Sequence, residues 1–436
     1  MRILLIEPST YTKSGLKKDT VYRDAMRSTR TLGLTLPFLA ALTPREHHVE
    51  IAFDVCEEIE EVYDLASYDL VGVTCQTVQM KRALELARVV RKTGVKTVVG
   101  GPATIEDGSR LVPVLGRFFD AVVIGEAEKL WEEVLQDATA GQLKDVYKHE
   151  DFVPLRDLPV PRFELIDFTK VAEPHVYPAL TSRGCPRTCD FCSEFLYSPW
   201  RWRPIDEVVD ELSAYKSRFG AQRIVFRDDD FLVYPKRSRD LLNKMSPLGL
   251  EWACQTDLNL ARHTDVAEAA VRAGLKSVSF GLESVRADNR EDVSKSFFSL
   301  EEARELLLML HEAGVETQVN IIFGFDHDTP DIFDETVEFL LGCNVSSFFA
   351  SVLFPIPGTK LYTRLKEEGR LVEERPPGIE DPTYVGFLPK QMTAEQLVNG
   401  FTRAQSRFYR ERLPNSVYWL GAENLIWTGE EDLVLC

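Results

Sequence analysis

Two series of strand–helix alternation run along this chain, and they limit its fold more than any other feature. The first series contains five short apolar runs rich in β-branched residues, at 3–6, 49–53, 70–73, 97–99 and 121–124. The second contains six such runs, at 176–180, 223–226, 250–256, 276–280, 316–323 and 348–353. Amphipathic helical stretches follow the runs, and this order predicts two parallel α/β sheets, of which the first is open and doubly wound. Because ligands bind where the strands of such sheets end, the residues after each run are the candidates for function.

A proline-rich segment separates the two series. It contains Pro154, Pro159, Pro161 and Pro174 and shows no sustained periodicity. Proline is disfavoured in helix interiors and central strands, so this segment is predicted to be a linker. The predicted domains are therefore a first domain at 1–145, a linker at 146–174, a second domain at 175–370 and a short, mainly helical region at 371–436. The last region, with one helix expected near 393–409, is expected to cover the open side of the second domain or its substrate entrance.

Composition limits the classes of partner. The chain has 436 residues, 44% of them hydrophobic, which is enough for more than one core. Its formal charge of −18 disfavours nucleic-acid binding, which needs basic patches. The N-terminal apolar run is typical of a strand, and the apolar stretch 32–42 is too short to span a bilayer. We therefore expect a small-molecule substrate, no nucleic acid, no membrane span and a location in the reducing cytoplasm.

Three cysteines lie close together after the first strand of the second series. Cys185, Cys189 and Cys192 have the spacing C-x3-C-x2-C, and so short a segment can turn three thiolates toward one point. Iron–sulfur clusters are normally held by four cysteine thiolates, so three would leave one iron free to bind a small molecule. A structural zinc site needs four ligands, and an odd number of cysteines argues against a disulfide framework.

The cysteine spacing, with Phe191 just before the third cysteine, resembles the cluster loop of the radical S-adenosylmethionine (radical SAM) enzymes. The resemblance implies that Cys185, Cys189 and Cys192 bind a [4Fe–4S] cluster whose open iron chelates S-adenosylmethionine (SAM). It also implies that the second domain is an open (β/α)6 partial TIM barrel. In this family a reductant such as flavodoxin or ferredoxin supplies an electron, SAM is cleaved, and a 5′-deoxyadenosyl radical abstracts hydrogen from the substrate.

Acidic residues follow two strands of the predicted barrel. Asp228, Asp229 and Asp230 come after its second strand, and this run resembles an Asp-Asp-x-Phe motif of the radical SAM branch that carries cobalamin. The resemblance implies a role for the run in binding SAM, with Asp229 or Asp230 contacting its ammonium group and Asp229 also a catalytic candidate. A solvated loop is the alternative. Glu283, after the fourth strand, resembles the glutamate of the family's Gly-x-Glu-Ser motif, which contacts SAM; a buried structural carboxylate is the alternative.

Two residues within strands are further candidates. Asn320 lies in the fifth barrel strand, whose side chains flank the adenine of SAM in the family that this chain resembles. Cys254 lies in the third strand and is expected to be a buried packing residue, as free cysteine usually is; a hydrogen-atom donor that faces the barrel interior is the catalytic alternative. Lys295 and His327 follow strands on the same side of the barrel but are expected at the protein surface.

The strand ends of the first domain carry small and polar residues. They are Thr10, Thr74, Gly100, Gly101, Gly125 and Glu126. Glycine lets the backbone approach a ligand closely. This set resembles the cobalamin-binding domain that precedes the barrel in many radical SAM proteins, and the resemblance implies that these residues contact cobalamin. Ala103 stands where that family often has histidine, so a domain that keeps the fold without the vitamin is the alternative.

The reaction expected after hydrogen abstraction depends on cobalamin. With the vitamin bound, the resemblance implies methylation of a small biosynthetic molecule. Without it, dehydration or rearrangement of a cationic amino sugar would suit an acidic protein. A non-catalytic iron–sulfur or corrinoid carrier is the remaining hypothesis, and the six strand–helix units argue against it.

Overall fold

The computed structural model describes residues 1–10, 33–105, 111–149, 151–170, 175–372 and 384–412. The chain forms two compact units, which divide between Pro174 and His175. The end of the predicted linker, at 171–174, and most of the predicted C-terminal region, at 373–383 and 413–436, lie outside the described residues.

The first unit contains a six-stranded parallel sheet in the order β2-β1-β3-β4-β5-β6. The strands are β1 Arg2–Glu7, β2 His48–Phe53, β3 Leu70–Thr74, β4 Lys96–Gly100, β5 Ala121–Ile124 and β6 Val146–Lys148. The strand order reverses beside β1, and such a topological switch point is where doubly wound folds bind their ligands. The predicted doubly wound sheet is confirmed, but β6 lies within the predicted linker, so the sheet continues past the boundary predicted at 145.

Helices cover both faces of the first sheet. They are α1 Thr35–Leu42, α2 Ile59–Val62, α3 Met80–Arg91, α4 Val112–Leu115 and α5 Trp131–Ala140. The whole run from Ile3 to Ile6 has no exposed surface, as expected for a parallel strand packed on both sides. Helix α3 buries Ala83, Leu86 and Val90, which share one face of the helix.

The second unit contains a six-stranded, wholly parallel sheet in the order β14-β13-β12-β11-β10-β7. The strands are β7 Val176–Ala179, β10 Arg223–Phe226, β11 Glu251–Asp257, β12 Leu275–Glu283, β13 Glu316–Phe323 and β14 Ser347–Val352. Among the described strands, β7 and β14 each have one neighbour, so the barrel is open, as the resemblance implied. Strands β8 Ser182–Arg183 and β9 Arg201–Trp202 form a small antiparallel ribbon.

The helices of the second unit follow the order of the predicted elements. They are α6 Glu194–Tyr197, α7 Ile205–Phe219, α8 Pro235–Met245, α9 Thr264–Arg272, α10 Ala287–Asp292, α11 Leu300–Glu312, α12 Ile332–Gly342, α13 Lys360–Glu367 and α14 Ala394–Arg412. Among the described residues, none of these helices has both the length and the apolar character that a membrane span requires.

The barrel strands have an apolar outer face and a more polar inner face. On β13, Val319 and Phe323 are buried, and the Phe323 ring lies 4.8 Å from that of Phe333 on α12. Gln318 and Asn320, on either side of Val319 in sequence, are partly exposed. Because successive side chains of a strand point to opposite faces, the buried set faces the helices and the polar set faces the barrel interior.

Helix α14 occupies a position that the sequence did not indicate. It packs on the outer face of β14, where the Phe348 and Phe408 rings lie 4.9 Å apart and the Tyr409 hydroxyl donates to the Phe348 carbonyl. Gly400 of α14 lies directly against Phe333 of α12, and a β-carbon at this position would overlap the ring. Helix α14 thus covers the outer face of an edge strand. The prediction that the C-terminal region covers the open side of the barrel or the substrate entrance falls largely on residues outside those described.

Candidate active site

The three cysteines lie in one loop at the carboxyl end of β7. The loop begins at Gly184, whose positive φ of 75° lets the chain turn and whose missing side chain lets it pack against the Pro199 carbonyl. Within the loop the Cys192 amide donates to the Cys189 carbonyl over 3.0 Å. Among the described residues, no three Cys, His, Asp or Glu side chains converge on a position for a single metal ion. In a [4Fe–4S] cluster each thiolate binds a different iron.

The electrostatics of the loop suit a bound cationic group. Burial raises the pKa of Cys185 to about 12 and the pKa of Cys192 to about 11, and it raises the pKa of Cys189 as well. Iron binds the thiolate form of cysteine, so bound iron would supply the positive charge that these buried groups need to ionise. The donor set therefore fits a [4Fe–4S] cluster.

Glu283 forms a buried ion pair beside this loop. The Lys295 ammonium donates to Glu283 Oε1 over 2.5 Å, and each side chain is about 9% exposed. The same ammonium lies 6.0 Å from the Phe191 ring centroid, and it interacts electrostatically with Cys189. Gly281 lies beneath the pair, where a side chain would overlap both charged groups. Phe191 and Glu283 thus share one site, but the prediction that Lys295 is a surface residue is wrong.

The backbone at Glu283 adopts an unusual conformation, and contacts from neighbouring residues stabilise it. Its φ is 65°, in the left-handed region that non-glycine residues rarely adopt. The Arg290 guanidinium donates to the Ser284 carbonyl over 2.6 Å, and the Asn289 amide bridges the Ser284 hydroxyl and the Asp328 carboxylate. These contacts hold the end of β12 so that the Glu283 side chain meets Lys295. Sequence reasoning did not identify Asn289, Arg290 or Asp328, whose functions depend on contacts between separate loops.

The structure separates the roles of the three adjacent aspartates. Asp228 is buried and accepts hydrogen bonds from the Thr181 amide over 2.9 Å, the Thr181 hydroxyl over 2.7 Å and the Ser182 hydroxyl over 2.6 Å. These hydrogen bonds to the Asp228 carboxylate fix the residues that follow β7. This structural role corrects the prediction that Asp228 contacts SAM. Asp229 is partly exposed, and burial together with the Asp228 charge raises the pKa of Asp229 to about 6.

Asp230 belongs to a buried network that reaches the cysteine loop. Its Oδ1 accepts hydrogen bonds from the Thr256 hydroxyl over 2.8 Å and from the Asp257 amide over 3.1 Å, while its Oδ2 is buried without a hydrogen-bond partner. Arg187, between the first two cysteines of the loop, donates to Asp257 over 2.6 Å and lies 4.0 Å from the free oxygen of Asp230. Burial and the negative charge of Asp257 raise the pKa of Asp230. The free oxygen leaves Asp230 able to accept a further hydrogen bond.

The two candidates within strands lie on opposite faces. Asn320 is on the inner face, donates to the Ser279 hydroxyl over 3.0 Å and accepts from the Gln318 amide over 3.2 Å. Cys254 has no exposed surface, and its neighbour Gln255 is exposed on the inner face. Alternation along β11 therefore places Cys254 on the helix side. This position agrees with a packing residue and corrects the catalytic alternative, in which Cys254 faces the barrel interior as a hydrogen-atom donor.

In the first unit the predicted cobalamin contacts lie along one edge of the sheet, since β1, β3, β4 and β5 are neighbours. Thr10 is partly exposed and Thr74 is almost buried. Gly101 has a φ of 97°, and a β-carbon there would lie 2.8 Å from the Thr74 hydroxyl oxygen and 2.9 Å from the Cys75 backbone. Gly125 has a φ of 98° and open space where a side chain would be.

Two further residues at this edge are already engaged. Glu126 accepts a hydrogen bond from the Val153 amide over 2.8 Å, so one of its carboxylate oxygens holds the following segment. Ala103 is fully buried in the hydrophobic core of the unit. Gly125 leaves open space at this edge, whereas Gly100 and Gly101 let neighbouring strand ends pack closely. The residues present therefore fit cobalamin through backbone contact rather than through a side-chain cobalt ligand.

Comparisons with known proteins agree with this arrangement. A family model described as the radical SAM superfamily matches residues 180–340, and a domain of unknown function, DUF4070, matches residues 359–413. The bacteriochlorophyllide d C-12(1)-methyltransferase of Chlorobaculum tepidum is 29% identical over 80% of this chain and 76% of its own length. The hopanoid C-2 methylase of Rhodopseudomonas palustris is 25% identical over 71% of this chain and 60% of its own length.

Solved structures show the same fold over most of the chain. The radical SAM methyltransferase TsrM from Kitasatospora setae superposes with a TM-score of 0.62 at 18% identity, over 92% of this chain and 83% of its own. The cobalamin-dependent radical enzyme OxsB superposes with a TM-score of 0.58 at 16% identity, over 78% of this chain and 52% of its own. The chain thus contains a radical SAM domain at residues 180–340 and is an enzyme whose cofactors include a [4Fe–4S] cluster and SAM. Over most of its length it is similar to the branch of that superfamily with an N-terminal cobalamin-binding-like domain.

Proposed function

We propose that this enzyme is a cobalamin-dependent methylase of a small molecule. The observation that carries the proposal is the carboxyl edge of the first sheet, where Gly125 has a positive φ of 98° and open space in place of a side chain, and Gly101 brings its backbone close to Thr74. Relatives that are similar over more than three quarters of this chain are named as bacteriochlorophyllide methyltransferases. The TsrM structure was solved with cobalamin and a [4Fe–4S] cluster bound.

The cofactors and the side chains have separate tasks in this proposal. When bound, the cluster supplies one electron for cleavage of SAM, and methylcobalamin supplies the methyl group. Cys185, Cys189 and Cys192 hold the cluster. Glu283, oriented by Lys295, contacts SAM, and the buried contacts around this pair exclude water from the site.

Asp229 and Asn320 complete the proposed SAM site. Asp229 attracts the ammonium group of SAM when it is ionised, which its raised pKa of about 6 permits near neutral pH. Asn320 offers amide hydrogen bonds on the inner face of β13, next to the strand that carries Glu283. A reductant such as flavodoxin or ferredoxin is the proposed electron donor.

One experiment separates methylation from cobalamin-independent chemistry. The full chain is reconstituted without oxygen with iron, sulfide and hydroxocobalamin, desalted, and assayed for bound corrinoid. It is then incubated with a strong reductant, methyl-deuterated SAM and a panel containing a tetrapyrrole, a hopanoid and an amino sugar. We expect retained corrinoid, 5′-deoxyadenosine and a product that carries the deuterated methyl group.

Two outcomes would contradict the proposal. Loss of corrinoid on desalting, with SAM still cleaved and a dehydrated product formed, would support the amino-sugar alternative. Absence of 5′-deoxyadenosine from cluster-loaded protein would support a carrier. Cys189→Ala is the control for the cluster, and Cys343→Ala, a fully buried cysteine outside the loop, is its matched control.

A further inference from the structure

The C-terminal segment, residues 359–372 and 384–412, contacts the cysteine loop directly. The Leu361 amide, at the start of α13, donates to the Asp190 carbonyl over 2.9 Å. The Lys360 ammonium lies 3.2 Å from Asp190 Oδ1. Asp190 stands between the second and third cysteines, so these contacts reach the part of the loop that would hold the cluster. Most of this segment falls in the match to the domain of unknown function.

Asp190 is also held from a second direction. Its amide donates to the Val293 carbonyl over 3.1 Å, and its carboxylate accepts from the Ser294 hydroxyl over 2.9 Å. The amide, the carbonyl and the carboxylate of this residue therefore all have partners outside the cysteine loop. Two separate parts of the chain, the segment after α10 and the start of α13, thus meet at one residue between two cluster ligands.

An ionic network around one buried carboxylate anchors the C-terminal segment near the loop. Asp326, just after β13, is paired with Arg364, with Arg370 over 2.8 Å and with Lys390 over 2.8 Å, and all three cations come from the C-terminal segment. Burial alone would raise the pKa of Asp326, but the hydrogen bonds from the three cations outweigh it and lower the pKa to about 2. The carboxylate is therefore ionised at neutral pH.

The anchor lies beside the side chains that pack on the cysteine loop. Phe325 precedes Asp326, and its ring lies 6.1 Å from that of Phe191 in the loop. The Gln391 amide donates to the Asp326 carbonyl over 2.9 Å, which adds a fourth contact from the C-terminal segment. The anchor and the Asp190 contacts therefore act on the same loop.

We propose that the C-terminal segment is a clamp that holds the cysteine loop closed around the cluster, with Asp326 as its anchor and Asp190 as its point of contact. Lys360 is exposed and Asp190 is partly exposed, so their ion pair alone stabilises the loop weakly. The network around the buried Asp326 carboxylate restrains α13 and keeps the Leu361 amide on the Asp190 carbonyl. These are positioning residues, because they act through the loop that carries the three cysteines.

The test compares Asp326→Asn with Asp334→Asn in the reconstituted full chain. Asp334, on α12, also pairs with the C-terminal segment, through Arg407 over 2.9 Å, but it is exposed and belongs to the contact between α12 and α14. Release of iron to EDTA is followed by the loss of cluster absorbance, and hydrogen exchange is measured in peptides covering 185–197. We expect Asp326→Asn to release iron roughly threefold to tenfold faster, the range for effects transmitted through a packed network, and Asp334→Asn to match the wild type.

Three results would overturn the proposal. If Asp326→Asn raises hydrogen exchange in the C-terminal segment alone and leaves the rate of iron release unchanged, the segment does not hold the loop. Equal effects of the two substitutions would indicate general destabilisation. If Asp326→Asn fails to fold, Lys360→Met decides the question, with Lys366→Met on the same helix as its control; we expect about twofold faster iron release for Lys360→Met only. Equal release from these two lysine variants would also refute the clamp.

Discussion

Replacing Lys295 by methionine tests whether the buried ion pair with Glu283 organises the cofactor site. The Lys295 ammonium and Glu283 Oε1 are 2.5 Å apart, and both side chains are about 9% exposed. Methionine keeps most of the aliphatic length of lysine, so the main change is the loss of one charge. Removing one partner of a buried pair costs about 3–5 kcal/mol, because the other charge remains buried without compensation. The free energy of unfolding of the second unit should fall by this amount.

Urea unfolding of the wild type and three variants measures the effect. With a slope of about 3 kcal/mol per molar urea, a loss of about 3–5 kcal/mol lowers the midpoint by at least about 1 M. Tryptophan fluorescence can follow the second unit, because Trp252 there has no exposed surface. Lys295→Met, Glu283→Gln and the double variant form a double-mutant cycle, in which we expect a coupling energy of about 2–3 kcal/mol.

Additivity in this cycle would refute the reasoning. If the costs of the two single substitutions simply add, the two charges do not stabilise each other. Glu283 would then owe its position to the backbone contacts around Ser284. Lys295→Arg keeps the charge and should restore part of the lost stability, although the guanidinium does not reproduce the shape of the ammonium.

Three further predictions concern other parts of the molecule. Gly101→Ala should lower the Tm by more than Gly94→Ala, because both positions have positive φ but only Gly101 has atoms where the new β-carbon would lie; equal shifts in thermal unfolding would contradict this. Cys254→Ser should leave the yield of product that carries the deuterated methyl group unchanged by mass spectrometry, because Cys254 lies on the helix side of its strand; a loss of that product would contradict this placement. The lowered pKa of Asp326 stabilises the fold above the ordinary aspartate pKa, near 4, and this stability is lost as the pH falls toward 2. Thermal unfolding at stepped pH should therefore show a steeper loss in the wild type than in Asp326→Asn.

The fold was readable from the sequence because local signals agree with it at nearly every strand. The strand from Glu316 to Phe323 has the same bounds as the predicted run, since β-branched and apolar residues alternate with polar ones along it. The packing position of helix α14 could not be predicted from the sequence. Its amphipathic pattern identifies one apolar face, but the pattern does not specify which strand or helix that face will cover.

The active site was only partly readable, for two different reasons. The catalytic alternative for Cys254 was wrong, although the sequence indicates which face of the strand is polar. Gln255 and Asp257 share the inner face, so Cys254, between Trp252 and Thr256 in the alternation, lies on the outer face. Lys295 offered no such signal. Its burial follows from the fold of the loop after α10, where the Lys295 amide donates to the Arg290 carbonyl over 2.7 Å, and a sequence pattern does not specify a contact of that kind.

The three adjacent aspartates show how hydrogen-bond capacity separates a ligand contact from a structural carboxylate. Asp228 is buried, and both of its oxygens already accept hydrogen bonds, from one amide and two hydroxyls. Asp230 retains one buried oxygen without a hydrogen-bond partner, and an unsatisfied buried oxygen of this kind costs about 1–3 kcal/mol. A donor from bound SAM would recover that cost, and Arg187 could approach the same oxygen if the cysteine loop tightened around a cluster. Asp229 and Asp230 are therefore the carboxylates that remain available to SAM. What distinguishes them from Asp228 is the smaller number of hydrogen bonds that they already accept, not their place in the motif.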